Sequence, residues 1–167
     1  MILIIDFGSQ YNQLIARRVR ECRVYCRIEP PTISIDAIKD ISPKGIILSG
    51  GPSSIYEENS PQVDPALFDL GIPILGICYG MQSMVHALGG RVEKAGKREY
   101  GLAELSISES TGIFEGLEST TRSWMSHGDS IKELPDGFSI SASTENTTVA
   151  ATVNTDRKFY GLQFHPE

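Results

Sequence analysis

Cysteine, tryptophan and clustered basic residues are scarce in this chain, and long apolar runs are missing. Only Cys22, Cys26 and Cys78 carry thiols. An odd number argues against a framework of paired disulfides and fits free thiols in a reducing cytosol. Cys22 and Cys26 have no second Cys/His pair near them, so they read as packing residues, not zinc ligands. The apolar opening Met1 to Ile5 is cut short by Asp6, which makes a secretory leader unexpected. No stretch approaches the ~20 apolar residues of a membrane span. The formal charge is -6, and the densest basic cluster is Arg17-Arg18 with Arg20. Neither nucleic acid nor a membrane surface is therefore an expected partner.

What is present is an alternation of short apolar runs and amphipathic segments over 167 residues, enough for one domain burying roughly 70% of its unfolded surface. Met1 to Ile5 reads as a strand. Ser9 is placed to cap a helix carrying Tyr11, Leu14, Ile15, Val19 and Cys22 on one face. A strand over 23–28 stopped by Pro30-Pro31, a short helix over 34–40 and a strand over 45–48 continue the pattern. After a loop over 52–65 and a helical turn over 65–70, Ile72 to Leu75 reads as a buried strand. Met81, Met84, Val85 and Leu88 then keep helical spacing until Gly89-Gly90. Such alternation predicts an α/β fold, a flavodoxin-like open and mostly parallel sheet with helices on both faces. Beyond Arg91 the segments 100–107, 122–125, 138–144, 149–154 and 159–164 are strand-like with short turns, which predicts an antiparallel extension in the second half.

The densest chemistry lies at Gly76-Ile77-Cys78-Tyr79-Gly80-Met81-Gln82. A strand running into a helix through G-x-C-x-G is a nucleophile elbow with sulfur in place of a serine oxygen. A thiol at a helix amino end is favoured as thiolate. Alone, a cysteine packs as a small apolar group; the elbow is what marks Cys78 as a candidate nucleophile. Ser49-Gly50-Gly51-Pro52 ends another strand. It reads either as an ordinary turn or, with the N–H of Tyr79, as an oxyanion-binding backbone. In His165-Pro166-Glu167 the i, i+2 spacing lets Glu167 orient His165 as a base. As the last residue, Glu167 is also expected to fray. His127, in a polar loop Ser126-His127-Gly128-Asp129, competes as the base but has only Asp129 nearby as a carboxylate, while His86 reads as structural or partly exposed. Asp6-Phe7-Gly8 invites a kinase reading that fails, because no nucleotide lobe or catalytic loop precedes it.

Four segments together resemble one family: Asp6-Phe7-Gly8-Ser9-Gln10-Tyr11 with the helix after it, Leu48-Ser49-Gly50-Gly51-Pro52-Ser53-Ser54, the elbow, and Trp124-Met125-Ser126-His127-Gly128-Asp129 with the closing Gln163-Phe164-His165-Pro166-Glu167. They are similar to class I, triad-type glutamine amidotransferase domains, and within these to the amino-terminal domains of GMP synthetases. The resemblance implies Cys78 as nucleophile, His165 as base and acid, and Glu167 as its orienter. It also implies Gly51 and Tyr79 as oxyanion donors, and Gly50, Gln82, Ser126, His127, Gly128 and Asp129 around the glutamine.

The same resemblance implies a type 1 amidotransferase domain over 1–167, with the carboxyl-terminal end of the domain and the synthetase part lying outside the sequence. Glutamine would be hydrolysed to glutamate and ammonia, and the ammonia used to aminate XMP in guanine nucleotide synthesis. No cofactor or metal is expected for the glutaminase half; ATP and magnesium would belong to the synthetase half. The expected partners are an ATP pyrophosphatase domain of the same longer chain and a second copy held through the absent part, in the cytoplasm. Two alternatives stand beside this: a glutaminase subunit for anthranilate or aminodeoxychorismate synthesis, which shares the triad, and a non-catalytic flavodoxin-like regulatory module.

Overall fold

Why the site assembles where it does follows from how four apolar tetrads pair. The computed structural model describes residues 1–110 and 112–167, apart from the side chains of Lys97 and Arg98. Its first half runs β1 (Ile2–Ile5), α1 (Asn12–Glu21), β2 (Cys26–Glu29), α2 (Ile35–Ile41), β3 (Gly45–Leu48), a 3-10 turn (Pro65–Asp69), β4 (Ile74–Ile77) and α3 (Tyr79–Ala87). The second half is β5 (Arg91–Ile107), a short 3-10 turn (Gly112–Phe114), β6 (Thr120–Glu133), β7 (Ser139–Ser143), β8 (Ala151–Asn154) and β9 (Phe159–Leu162). Among the described residues one nine-stranded sheet has the order β2-β1-β3-β4-β9-β8-β7-β5-β6. β2, β1, β3, β4 and β9 pair in parallel, and β9 to β8, β8 to β7, β7 to β5 and β5 to β6 pair antiparallel. The expected parallel core with an antiparallel extension is what forms.

Strand alternation sorts the core. Leu3 and Ile5 point to one face, where Ile38 of α2 and Met81, Met84 and Val85 of α3 cover them. Ile4 points to the other face and meets Ile15 and Ala16 of α1. Helices therefore lie on both faces, and each fully buried aliphatic side chain contributes about 1.5–3 kcal/mol to holding them there. A third cluster, with Leu105, Met125, Leu162 and Phe164, underlies the antiparallel half.

Several boundaries differ from the sequence expectation. Ser9 does not cap α1: its Oγ accepts from Tyr11 N, a local turn, and the helix starts at Asn12 without a side-chain cap. Arg23 has a positive φ of 59°, which ends the α1 turn and delays β2 to Cys26. Cys22 is exposed, so it is not a packing residue, whereas Cys26 is buried. Ile72 precedes β4 instead of opening it. The largest difference is β6, a single 14-residue strand in which Ser126 to Asp129 form part of the ladder, not a loop.

Candidate active site

Backbone geometry at the end of β4 sets the position of the sulfur. Cys78 has φ 50° and ψ -108°, a conformation that L residues rarely adopt, and α3 begins at the next residue. The turn closes this tightly because its neighbours lack side chains. A Cβ on Gly80 would stand 2.2 Å from the Leu48 carbonyl oxygen, and one on Gly76 would stand 2.7 Å from Met81 Cα. Gly50 is less crowded, but a Cβ there would come within 3.1 Å of His165 Cε1 and 3.7 Å of Cys78 Cβ. Gly51 presses on the Phe7 carbonyl, 2.6 Å from where its Cβ would be. Gly50 therefore brings the end of β3 against Cys78 and the imidazole, while Gly51 packs it on Phe7.

His165 and Glu167 reach the same place from the segment after β9. His165 Nδ1 is 2.9 Å from Glu167 Oε1, and the two side chains are 11% and 4% exposed. The Glu167 side-chain carboxylate is thus packed against the ring. His165 N donates to the Trp124 carbonyl at 3.0 Å, an isolated bridge that fastens the segment to β6. Tyr11 lies edge-on to the ring, with centroids 5.6 Å apart. The imidazole is pushed up to about 10: burial opposes its charge, but hydrogen bonds to Cys78 and to Glu167 outweigh that cost. The upward shift favours its charged form beside the sulfur.

A polar cavity of about 510 Å³ opens over Cys78, and its walls include Gly51, Tyr79, Gln82 and the Ser126 to Asp129 run. Sequence reasoning thus named much of the lining, but not Ser54, Glu57, Lys94 or Tyr100. Ser54 Oγ donates to Asp129 Oδ2 at 2.6 Å, tying the loop after β3 to β6. The signal was present in the Leu48 to Ser54 segment, yet a contact across 75 residues leaves no local trace.

His127 departs from expectation. Its side chain is 1% exposed and turned into the protein, with Nδ1 2.8 Å from the Asp129 carbonyl and Nε2 3.5 Å from Glu99 Oε2. Its carboxylate is therefore Glu99, not Asp129. Thr147 Oγ1 donates to Glu99 Oε2 at 2.6 Å and sits 3.3 Å from His127 Nε2, and Thr144 Oγ1 donates to the same carboxylate. A carbonyl only accepts, so Nδ1 carries hydrogen. Nε2 faces the Thr147 hydroxyl and the Glu99 carboxylate. His86 is exposed on α3, edge-on to Tyr56.

A sulfur at a strained strand-to-helix junction, an imidazole held by a carboxylate and a polar cavity above them define a cysteine-centred acyl-transfer site. The class-I glutamine amidotransferase family model matches residues 3–167, and the chain belongs to that family. It is 60% identical over 99% of its length to the GMP synthase [glutamine-hydrolyzing] of Heliobacterium modesticaldum, of which it covers 32%. It is 54% identical over its whole length to that of Clostridium perfringens, of which it covers 33%. The chain thus spans about a third of the length of these relatives. Among solved structures, a GMP synthase component from Thermoplasma acidophilum superimposes with a TM-score of 0.90 at 34% identity. That match covers 99% of this chain and 83% of the other. A glutamine amidotransferase from Thermotoga maritima shares the fold, with a TM-score of 0.78 at 23% identity.

Proposed function

We propose that residues 1–167 form the glutaminase part of a GMP synthase, with Cys78 as nucleophile, His165 as base and acid, and Glu167 as the group that orients it. The observation that carries this is the Cys78, His165 and Glu167 arrangement at the start of α3, in a chain 60% identical to a GMP synthase. The Cys78 sulfur, as thiolate, attacks the side-chain amide carbon of glutamine. A C–S bond forms while the carbonyl electron pair moves to oxygen, where the N–H groups of Tyr79 and Gly51 receive it. His165 passes its proton to the amide nitrogen, the C–N bond breaks, and ammonia leaves a γ-glutamyl thioester. His165 then takes a proton from water, hydroxide attacks the thioester, and glutamate departs as sulfur regains its electron pair.

Both amide hydrogens of Gln82 are used, one toward the Asp129 carbonyl at 3.4 Å and one toward Gln163 Oε1 at 3.1 Å. Its oxygen remains to accept from the substrate. His127 serves the pocket through its main chain and by bracing Asp129, and Ser126 and Gly128 shape the wall, whereas Gly50 stands outside that lining, against His165 and Cys78. These steps call for no metal. ATP and magnesium belong to a synthetase part, in the same longer polypeptide or a separate one, which aminates adenylylated XMP in the cytoplasm and carries the contacts of a homodimer.

The test is Cys78→Ala in the complete protein. Glutamine-dependent GMP formation should fall on the order of 10⁴-fold or more, while formation from added ammonium salts persists. Loss of both would overturn the ammonia-supply role, and amination of chorismate in place of XMP would favour the anthranilate-type alternative.

A further inference from the structure

Gln163 directly follows β9 and is wholly buried. Burying an amide costs about 1–3 kcal/mol unless its atoms are bonded, so its partners matter. Nε2 donates to Cys78 Sγ at 3.6 Å, and Oε1 accepts from Gln82 Nε2 at 3.1 Å. Which end of an amide is nitrogen is decided by the surrounding network. Here the network starts from a group with no choice. The Asp129 main-chain oxygen can only accept, and it faces Gln82 Nε2 at 3.4 Å and His127 Nδ1 at 2.8 Å. The amino end of Gln82 is therefore turned to Asp129, its second hydrogen reaches Gln163, and the oxygen of Gln163 must face it. That leaves the Gln163 amino group pointing at sulfur.

The other protein contacts of the sulfur differ in kind. The Ser126 carbonyl at 3.6 Å accepts from a thiol and repels an anion. His165 is a donor, but one that gives its proton away during the reaction. The charged and titratable groups around the sulfur are His165 with Glu167 behind it, Tyr11 edge-on to the ring, and Glu57, Tyr79, Lys94, Tyr100, His127 and Asp129 on the cavity wall. Of the hydrogen-bond partners of the sulfur among the described residues, the Gln163 amide is the neutral donor that keeps its hydrogen throughout.

We propose that Gln163 is a further catalytic residue of this site, its amide N–H stabilising the Cys78 sulfur as the attacking anion and again as the leaving group of thioester hydrolysis. The inference rests on Cys78 being the nucleophile. Its test does not require turnover.

Gln163→Met keeps the length and burial of the side chain and removes the donor. The rate of Cys78 carboxamidomethylation by iodoacetamide is followed against pH in the full chain, read by mass spectrometry on the Cys78 peptide, so that exposed Cys22 does not contribute. The midpoint should rise by about one pH unit, making alkylation roughly tenfold slower below it. In glutamine hydrolysis kcat should fall more than KM changes. Gln82→Met, which frees the Gln163 amide to turn, should give a smaller shift in the same direction. A Gln163→Met profile superimposable on the parent, with a native thermal melt, would overturn the proposal. If that variant does not fold, Gln82→Met decides: a raised midpoint supports the role and an unmoved one refutes it. Glutamine hydrolysis surviving in Cys78→Ala would remove both this inference and the glutaminase reading, whereas an unmoved profile with inactive Cys78→Ala removes this inference alone.

Discussion

The parallel and antiparallel halves build the site by different means. In the parallel half, position is a matter of backbone: β4 stops, Cys78 takes a positive φ, and bare glycines let α3 and the end of β3 close on the sulfur. In the antiparallel half, position is a matter of side-chain bonding. β6 presents Ser123, Met125, His127, Asp129 and Ile131 inward in strict alternation, and His127 and Asp129 are held by groups far away in sequence. The elbow has no room for an added atom, and the inward face of β6 depends on partners it cannot lose.

Substitutions in each half should break this contrast in opposite ways. The largest effect is expected from Gly80→Ala, because a Cβ 2.2 Å from the Leu48 carbonyl cannot be relieved by turning a flexible side chain. A loss of at least about 4 kcal/mol, or failure to fold, should appear in urea denaturation. Next is Glu99→Ala, which leaves His127 buried beside the Thr147 hydroxyl without its carboxylate. It should cost about 1–3 kcal/mol, the penalty of buried polar groups losing their partner, and the double variant Glu99→Leu with His127→Leu should recover much of it. Recovery in that pair and none in any partner of Gly80→Ala would confirm that only the second half depends on matched bonds.

A subtler effect concerns protonation. Because His165 is raised from its ordinary value to about 10, its charged form stabilises the fold. That contribution is complete below the unfolded value near 6.5 and is lost as pH rises through about 10. Stability of the parent relative to His165→Asn should therefore decline between these limits in pH-dependent melts. Removing Glu167 should bring the end of the decline to lower pH. The smallest effect is expected at Gly101, where φ is 94° but no atom lies within 4 Å of an added Cβ. Gly101→Ala should cost only about 1 kcal/mol, from strain alone. A cost matching that of Gly80→Ala would show that conformation, not crowding, governs both glycines.

The same contrast explains what could be read from the residues. The elbow was legible because its determinants are adjacent: apolar strand, G-x-C-x-G, then helical spacing from Met81. His165 and Glu167 were legible because i, i+2 in an extended segment face one way. β6 was not. Its inward positions include Ser123, His127 and Asp129, so a true period of two is hidden from any rule that looks for alternating hydrophobicity. Glu99 was invisible for a related reason: the β5–β6 register shifts between Lys94 and Glu99, and no spacing rule pairs residue 99 with 127 and 147. Gln163 could be quoted within a motif, but its direction toward sulfur follows only from the chain of donors beginning at Asp129.

The short bridge between His165 and Trp124 has a mechanical consequence. The imidazole is tethered to the outermost strand, while the thiol is anchored to an inner helix. Their separation is thus set by the β4–β9 pairing, where Cys78 N donates to the Leu162 carbonyl, together with that outer tether. Slack introduced at either fastening would slow proton exchange between the two groups well before it lowered the temperature at which the molecule melts.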